Sequence, residues 1–355
     1  MRVASRTVGY ALLVAAIVLT PILLGAENTF RVTQLTYMGA FAIALVGLNI
    51  LTGYAGQISL GHGAFMALGA YTTAILSVNH GVDVLLTIPL GGLVAGIVGF
   101  LFGFPALRLA GVYLALATFG LAIVVPSVAR RFDSFTGGQA GILLDLPTSP
   151  IGALTPERWL YYLTWAIAAV LFVAALLFLR GKTGRALRAI RENELAAISS
   201  GVSLARYKTL AFGVSAFYAG VAGSIYAVLN FIVNPGSFPI DLSILLLVGL
   251  VIGGVGSLVG VLFGAAFVEF VPLEAGNLPA RAIDALQGVG IPVGDLDPTT
   301  PGVPSVVYGL ILLLVIAVAP QGIAGLIRRL GATTKRLYTR PKQEEASMSP
   351  PRRDA

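Results

Sequence analysis

Long apolar runs alternate with short polar or glycine-rich breaks along most of this chain. A helix needs about 20 apolar residues to cross the hydrocarbon core of a bilayer. The runs predict membrane helices at about residues 8–25, 33–51, 64–78, 84–104, 111–129, 159–179, 205–233 and 305–326. The run 243–271 is too long for one straight span and is interrupted by glycines at 253–256, so it predicts two short helices. The pattern predicts an all-α, polytopic membrane protein with about ten transmembrane segments, including broken or short helices.

The first apolar run allows two interpretations. Arg2 and Arg6 precede it and small residues follow at Gly25 and Ala26, as in a secretory signal peptide. We favour a first membrane span, because further spans follow and the run is about long enough to cross a bilayer.

The long polar segment between two strongly apolar runs is residues 180–208, here called the central loop. It contains two acids, Glu192 and Glu194. Its basic residues are Arg180, Lys182, Arg185, Arg188, Arg191, Arg206 and Lys208. Loops rich in Lys and Arg between spans stay on the cytoplasmic side of the membrane, so we place the central loop there.

The central loop has a helical pattern over about 184–199, with Thr183 as N-cap and Gly201 just beyond its end. Arg188 and Glu192 are spaced for an ion pair one turn apart. The apolar positions fall along one face: Leu187, Ile190, Ala197 and Ile198. Such a helix either docks on a partner or is a solvated segment that fixes orientation, and spacing alone leaves both open.

A second candidate is the glycine-dense, polar stretch Gly53–Gly63, which lies within apolar sequence. Non-helical backbone at membrane depth is tolerated where it is buried in protein or lines a wet cavity. We favour a broken helix beside a translocation pathway over a short cytoplasmic turn. No acid accompanies His62, so we interpret it as a structural or pathway residue, and His80 as an exposed loop residue. The predicted pathway residues are Gly53, Tyr54, Gln57, Ser59, Gly61, His62, Gly63, Thr118, Gly253, Gly254 and Gly256.

Three further features complete the predicted organisation. The Gly92/Gly96 and Gly99/Gly103 spacings predict close helix packing, and Pro105 is expected to end that span. The loop 132–157 is expected outside, where its glycines could face a partner or form a plain surface turn. Both termini are expected inside. We predict one transmembrane domain, residues 1–331, and a disordered tail, 332–355.

Composition agrees with a membrane protein. The chain has 355 residues, of which 57% are hydrophobic and 11% charged, with a mean hydropathy of +0.89. The net charge of +7 arises from Lys and Arg concentrated in the central loop and after residue 327, which is a positive-inside distribution and not a nucleic-acid surface. The absence of cysteine excludes disulfides and cysteine-bound metals in this chain.

Charge is scarce within the predicted spans. Glu269 and Asp241 are expected near span ends, whereas ion-coupled carriers place ionisable groups near mid-membrane. A pathway of Gly, Ser, Thr, Tyr and Gln suits a neutral or zwitterionic solute, with energy supplied by a partner on the central loop. No nucleophile–base pair or metal-ligand cluster is visible in the spans, so an enzyme is not expected.

Five segments carry a family resemblance. They are LNILTGYAGQISLGHGAFMALGAYTTAIL (Leu48–Leu76), GVYLALATFG (Gly111–Gly120), TGGQAGI (Thr136–Ile142), GRALRAIRENELAAISSGVSLARYKTLAFGVSAFYAGVAGSIYA (Gly184–Ala227) and GGVGSLVGVLFGA (Gly253–Ala265). From about residue 33 to 327 the chain resembles the branched-chain amino acid ABC transporter permeases of the LivM type. The first and fourth segments are the specific ones.

The resemblance implies a multi-pass protein of the inner (plasma) membrane without catalytic activity of its own. It implies a heterodimer with a second related permease, two cytoplasmic ATPase subunits that bind ATP and Mg²⁺, and an external solute-binding protein. This chain would hold no cofactor. The central loop would contact the ATPases through Gly184, Arg185, Arg188, Ala189, Arg191, Glu192, Asn193, Ala196, Ala197 and Gly201.

The solute does not follow from the resemblance, because relatives also carry urea, short amides or other small solutes. Branched-chain amino acids are the leading expectation and urea or short amides the alternative. An ion-coupled secondary carrier acting alone is the alternative of another class.

Overall fold

The computed structural model describes residues 17, 19–21, 23, 28–109, 111–145, 147, 149, 152, 154–288, 303–318 and 322–326. Most of the predicted first span and the whole predicted tail, 332–355, lie outside the described residues. The described residues between 17 and 23 are helical.

The described chain is helical almost throughout, as predicted. Its α-helices are α1 (Thr29–Leu48), α2 (His62–Ala74), α3 (Val84–Ala106), α4 (Val112–Arg131), α5 (Asp133–Thr136), α6 (Pro156–Arg180), α7 (Lys182–Glu192), α8 (Glu194–Ser199), α9 (Leu204–Asn230), α10 (Ile240–Gly253), α11 (Gly260–Gly288) and α12 (Val303–Val318). π-Helical turns extend α1 over Asn49–Tyr54 and α2 over Ile75–Asn79, and Pro235–Ser237 forms a 3₁₀ turn.

Seven segments of the described chain are long and apolar enough to cross a membrane. They are Thr29–Tyr54, Val84–Ala106, Val112–Arg131, Pro156–Arg180, Leu204–Asn230, Pro235–Gly253 and Gly260–Leu278. The polytopic all-α class predicted from the apolar pattern is therefore confirmed. The long run 243–271 does divide into two helices, α10 and α11.

Two helix ends differ from the predictions. Pro105 does not end its span, because α3 includes it and continues to Ala106. Proline within the last turn costs one backbone hydrogen bond near an end that is already frayed, which a helix tolerates. The second predicted span stops at Leu51, whereas the π-helical turn carries α1 on to Tyr54.

A two-stranded antiparallel ladder was not predicted. β1 (Ile142–Leu143) pairs with β2 (Ile232–Val233), which directly follows α9. Gly141 precedes β1 with φ of +78°, and a Cβ there would lie 2.7 Å from Asn234 Cβ. The glycine-rich loop, expected outside as a partner site or a surface turn, thus packs at its end against the chain itself.

α1 and α9 form the centre of the bundle. α9 packs against α1, α2 and α3, and α6 packs against α1. The peripheral helices leave large apolar side chains exposed: Leu86, Ile97 and Leu101 on α3, and Val170 and Leu177 on α6. Such faces are compatible with lipid and not with water, as expected for membrane helices.

Glycines form the seam between α3 and α9. A Cβ on Gly92 would lie 2.6 Å from Val221 Cγ2, and a Cβ on Gly103 would lie 2.9 Å from Thr209 Cα. Gly220 on α9 contacts α3 in the same way. The backbones approach closely because glycines on α3 leave room for the facing residues of α9, so the predicted packing role of the glycine spacings is confirmed.

The seam extends to α2, where Gly69 contacts Gly220, and a Cβ on Gly69 would overlap the Gly220 carbonyl oxygen. We expect Gly69→Ala to destabilise the protein by about 1–3 kcal/mol, because the two helices must separate to admit a methyl group. The measurement is the thermal unfolding midpoint of the detergent-solubilised protein.

The matched control is Gly120→Ala on α4, where a Cβ would meet nothing within 4 Å. There the higher helix propensity of alanine should leave the midpoint unchanged or slightly raised. Equal midpoints for the two variants would contradict a tight seam.

Candidate functional site

Two interruptions of the membrane helices meet at one end of the bundle. The first break is residues 55–61, between the π-helical end of α1 and α2, and the second break is residues 254–259, between α10 and α11. A Cβ on Gly53 would lie 2.8 Å from the Gly256 nitrogen, so the backbones touch there. The fully buried Asn49 accepts a hydrogen bond from that nitrogen at its Oδ1, over 2.8 Å.

Asn49 was missed by the sequence analysis. The available signal was an amide side chain inside an apolar run that leads into a glycine-rich break. A polar side chain at such a place has freed backbone groups to satisfy.

Neighbouring helices satisfy the other end of the first break. The Leu60 N–H donates to Thr118 Oγ1 over 2.9 Å, and the Gly63 N–H donates to Ser243 Oγ over 2.9 Å. Gln57 is buried, and its Oε1 has no hydrogen-bond partner among the described residues. The first break is thus held by α4 and α10, with one amide oxygen available.

His62 lies at the start of α2 and is fully buried. The Ser215 hydroxyl donates to the Gly47 carbonyl over 2.7 Å, so the imidazole Nε2–H donates to Ser215 Oγ over 2.9 Å. Nδ1 lies 3.3 Å from Ser59 Oγ and accepts from it. Both ring nitrogens are therefore engaged: Nε2 joins α2 to α9 and, through Ser215, to α1, whereas Nδ1 bonds the first break. Of the two roles predicted for His62, this geometry supports the structural one.

Arg191, the basic residue in the last turn of α7, reaches both breaks. Its Nη1 donates to the Gly53 carbonyl oxygen. A Cβ on Gly56 would lie 3.0 Å from Arg191 Cγ, and a Cβ on Gly256 would lie 3.3 Å from Arg191 Nη1. The Arg191 side chain thus contacts both breaks: Gly56 belongs to the first break and Gly256 to the second, and Gly53 adjoins the first.

The central loop contains two helices, so the prediction of one helix over about 184–199 is wrong. The chain is extended at Asn193, whose Oδ1 accepts from the Ala196 N–H over 3.1 Å and caps α8. By accepting this hydrogen bond, the Asn193 side chain favours the start of a new helix at Glu194 over continuation of α7. The N-cap prediction is also wrong, since Gly181 occupies that position and Thr183 lies inside α7.

The predicted end of the central-loop helix is confirmed. Gly201 has φ of +79°, its N–H donates to the Ile198 carbonyl over 2.8 Å, and the Val202 N–H donates to Ala197 over 2.9 Å. This pattern is a Schellman motif. The predicted apolar face is buried except at Ile198, which is 51% exposed beside Leu195 at 76%.

The central loop is anchored at both ends. At its start Gly184 contacts the backbone of α6 closely enough to exclude a Cβ. Near its end the buried Lys208 forms an ion pair with Glu194 at 2.6 Å. The predicted pair between Arg188 and Glu192 is absent from the ion pairs of the described residues, and both side chains are exposed.

The structure divides the predicted residues into two groups. Gly53 and Gly256 meet Arg191, as does Gly56, which was not among the predicted residues, whereas Ser59, Gly61, His62, Gly63 and Thr118 surround the start of α2. Tyr54 ends the π-helical turn, half-buried, and Gly253 ends α10 in close contact with Gly260. The remaining predicted residues have these positions in the central loop: Arg185, Glu192, Asn193 and Ala196 are exposed, Ala189 is half-buried, and Ala197 is buried.

Glu269, expected near the end of a span, is half-buried on α11, within the apolar segment Gly260–Leu278. Asp241, in the first turn of α10, is near an end as expected. Among the described residues, no group of three or more His, Cys, Asp or Glu side chains is placed to hold a metal ion.

Comparison with known proteins gives a consistent result. Residues 30–318 match the family model described as the permease component of the branched-chain amino acid transport system. The chain is 35% identical over 265 residues to the high-affinity branched-chain amino acid transport system permease protein LivM of Escherichia coli K12, covering 68% of this chain and 62% of that protein. The namesake of Salmonella typhimurium is 36% identical, with 64% and 59% covered.

A third relative, the probable branched-chain amino acid transport permease protein LivM of Methanocaldococcus jannaschii, is 26% identical over 332 residues, which cover 81% of this chain and 91% of that one. The chain spans about three fifths of the length of the two bacterial relatives. No solved structure matches the chain.

The two histidines of the chain provide a test of the buried network. We expect His62→Ala to lower the free energy of unfolding by about 1–3 kcal/mol, because Ser59 and Ser215 lose a buried partner. His80→Ala is the matched control, since His80 is exposed, and should change the unfolding midpoint little. A similar loss for both variants would contradict a structural role specific to His62.

Proposed function

Because the chain belongs to the family of permease components of branched-chain amino acid transport systems, we propose that it is the membrane-spanning permease subunit of an ATP-driven importer. Its solute would be a branched-chain amino acid, which an external binding protein delivers. The names of the relatives favour this solute over urea or short amides. The chain is a multi-pass membrane protein, and the inner membrane is its location.

One observation carries the proposal: a solvent-facing segment is connected to both helix breaks through Arg191. The outer surface of α7 and α8 exposes two arginines, Arg185 and Arg188, beside the apolar Leu195 and Ile198. Exposed apolar side chains among cations are typical of a docking surface for another protein. In the proposed complex this surface contacts an ATPase subunit.

The proposed coupling uses contacts that the chain already makes. A shift of α7 displaces the Arg191 guanidinium, which lies against Gly53 and Gly256, so the first and second breaks move together. Short non-helical segments bend more easily than the helices on either side of them, which makes the breaks natural hinges. The Glu194–Lys208 ion pair would transmit the same shift to α9.

The partners supply what this chain is not expected to contain. ATP and Mg²⁺ would bind in two separate ATPase subunits, and a second related permease would complete the pathway. ATP hydrolysis is thus no part of the chemistry of this subunit. Its own residues position the pathway and transmit movement.

Glu269, a half-buried carboxyl group within the apolar segment Gly260–Leu278, favours a second candidate, an ion-coupled carrier that acts alone. An ionisable group within a membrane span is a common feature of such carriers. Vesicles that contain this chain alone distinguish the candidates. Leucine uptake driven by a proton or sodium gradient without ATP would establish the carrier, whereas uptake that requires ATP and the other subunits supports the importer.

We expect Arg188→Glu to leave folding intact but to uncouple transport from ATP hydrolysis. Arg188 is exposed on the outer surface of α7, so reversal of its charge disturbs docking and not the core. The measurement is leucine uptake per ATP hydrolysed in proteoliposomes of the whole complex. Charge reversal at Arg131, exposed at the end of α4, is the control. Unchanged uptake by a normally expressed Arg188→Glu complex would count against the proposed docking.

Arg191→Ala tests transmission separately from docking. Because the Arg191 side chain lies against the breaks, we expect its loss to reduce uptake while the ATPases still bind the complex. A hydrogen bond from a charged donor contributes about 1.5–3 kcal/mol, so uptake should fall about tenfold or more. Loss of the ATPases from the purified complex would instead assign Arg191 to docking.

A further inference from the structure

An open groove lies on the outer surface of the bundle, along the seam between α3 and α9. It has a volume of about 370 Å³, within the range of sites that hold small ligands, and its lining residues are all apolar or glycine. Gly96 and Gly213 meet inside it, where a Cβ on Gly96 would lie 3.3 Å from the Gly213 carbonyl oxygen. The lack of side chains at these two positions leaves the groove between Phe100 and Phe217.

The groove opens onto a surface that belongs in the membrane. Both α3 and α9 are long and apolar enough to cross it, and the α3 side of the groove exposes Leu93, Ile97 and Leu101. An empty apolar groove forfeits the dispersion contacts of its lining, so either a lipid chain or a helix of another protein fills it. The charge at one end of the groove favours the lipid.

Arg206 extends the groove-lining face of α9. It lies one turn before Leu210, two turns before Gly213 and three turns before Phe217, so the four residues share one face of the helix. Three turns of α-helix are about 16 Å long, which is close to half of a hydrocarbon layer about 30 Å thick. An apolar chain that runs from Arg206 along the groove therefore has the length of one leaflet of the bilayer.

Arg108 takes the equivalent position after α3. Phe104 contacts the groove residue Phe100 edge to face, with ring centroids 5.4 Å apart, and Arg108 follows Phe104 by about one turn. The helical turn continues past the end of α3, since the Arg108 N–H donates to the Pro105 carbonyl oxygen over 3.2 Å.

The two arginines lie at the same end of the groove. α3 and α9 run antiparallel, and a Cβ on Gly103 would lie 2.9 Å from Thr209 Cα near this end. Arg108 follows Gly103 by about 8 Å along the chain axis, and Arg206 precedes Thr209 by about 5 Å. Both arginine side chains are exposed, and among the described residues neither forms an ion pair or a side-chain hydrogen bond.

An apolar groove that ends at two cations complements a long apolar chain joined to a negative group. We propose that an anionic phospholipid binds here, with an acyl chain in the groove and its phosphate at Arg108 and Arg206. Each basic residue near an anionic headgroup contributes about fivefold in affinity. The site requires the membrane and this chain alone, so it does not depend on the proposed transport function.

Photolabelling of the full chain in nanodiscs tests the site. The nanodiscs consist of phosphatidylcholine with a small fraction of phosphatidylglycerol that carries a diazirine in its acyl chain. The comparison probe is phosphatidylcholine with the same diazirine. After irradiation, mass spectrometry of peptides measures the labelling of residues 93–101 and 210–217. We expect the phosphatidylglycerol probe to label them about tenfold or more above the phosphatidylcholine probe.

Two kinds of variant separate the headgroup from the chain. Arg108→Gln combined with Arg206→Gln should lower labelling by phosphatidylglycerol about 25-fold, and Arg206→Gln alone about fivefold. Arg131→Gln, exposed at the end of α4, is the control for charge and should have no effect. Val214→Trp fills the groove and should reduce its labelling with both arginines present, whereas Val170→Trp on the exposed face of α6 should not.

Three results would overturn the site. The first is equal labelling of the groove by the two probes, and the second is unchanged labelling after loss of both arginines. The third uses Leu101→Cys as a single cysteine, because the chain has none of its own. Crosslinking of this thiol to another protein in native membranes, without a lipid adduct at the groove, would assign the groove to a partner subunit.

Discussion

The constraint on which this structure depends is that backbone groups freed by a break between packed helices must find hydrogen-bond partners within the protein. Helices meet this requirement by themselves, but residues 55–61 and 254–259 do not. Asn49 and Thr118 accept from backbone N–H groups of the breaks, and Ser243 and Arg191 bond Gly63 and Gly53 on either side of the first break. Each of these contacts therefore serves the architecture and, at the same time, ties a potential hinge to a neighbouring element.

This double use explains why the proposed function and the fold are difficult to separate. Arg191 satisfies a carbonyl oxygen that the π-helical turn leaves available, and it belongs to a segment whose outer surface is exposed. Moving that segment without altering the breaks would leave the carbonyl of Gly53 without this donor. The hydrogen bond that the Gly53 carbonyl needs is thus the same contact that couples the central loop to the membrane helices.

The helices, the two breaks and the central loop were predictable, because apolar length and glycine density are local properties of a sequence. The seam of Gly92, Gly96, Gly99 and Gly103 was predictable for the same reason. What the sequence analysis missed depends on partners far apart in the chain: the acceptor role of Asn49 toward Gly256, and the β1–β2 ladder. The division of the central loop at Asn193 was missed because amphipathic spacing continues across it, while one capping side chain decides the local conformation.

The ladder between β1 and β2 has a wider consequence. It clamps the glycine-rich loop to one end of α9, and the Glu194–Lys208 pair clamps α8 to the other end of the same helix. With 27 residues, α9 is a continuous rod of about 40 Å. A continuous helix anchored at both ends transmits a displacement of one end to the other as movement of a rigid body. A displacement imposed at the ladder therefore reaches α8, and one imposed at α8 reaches the ladder.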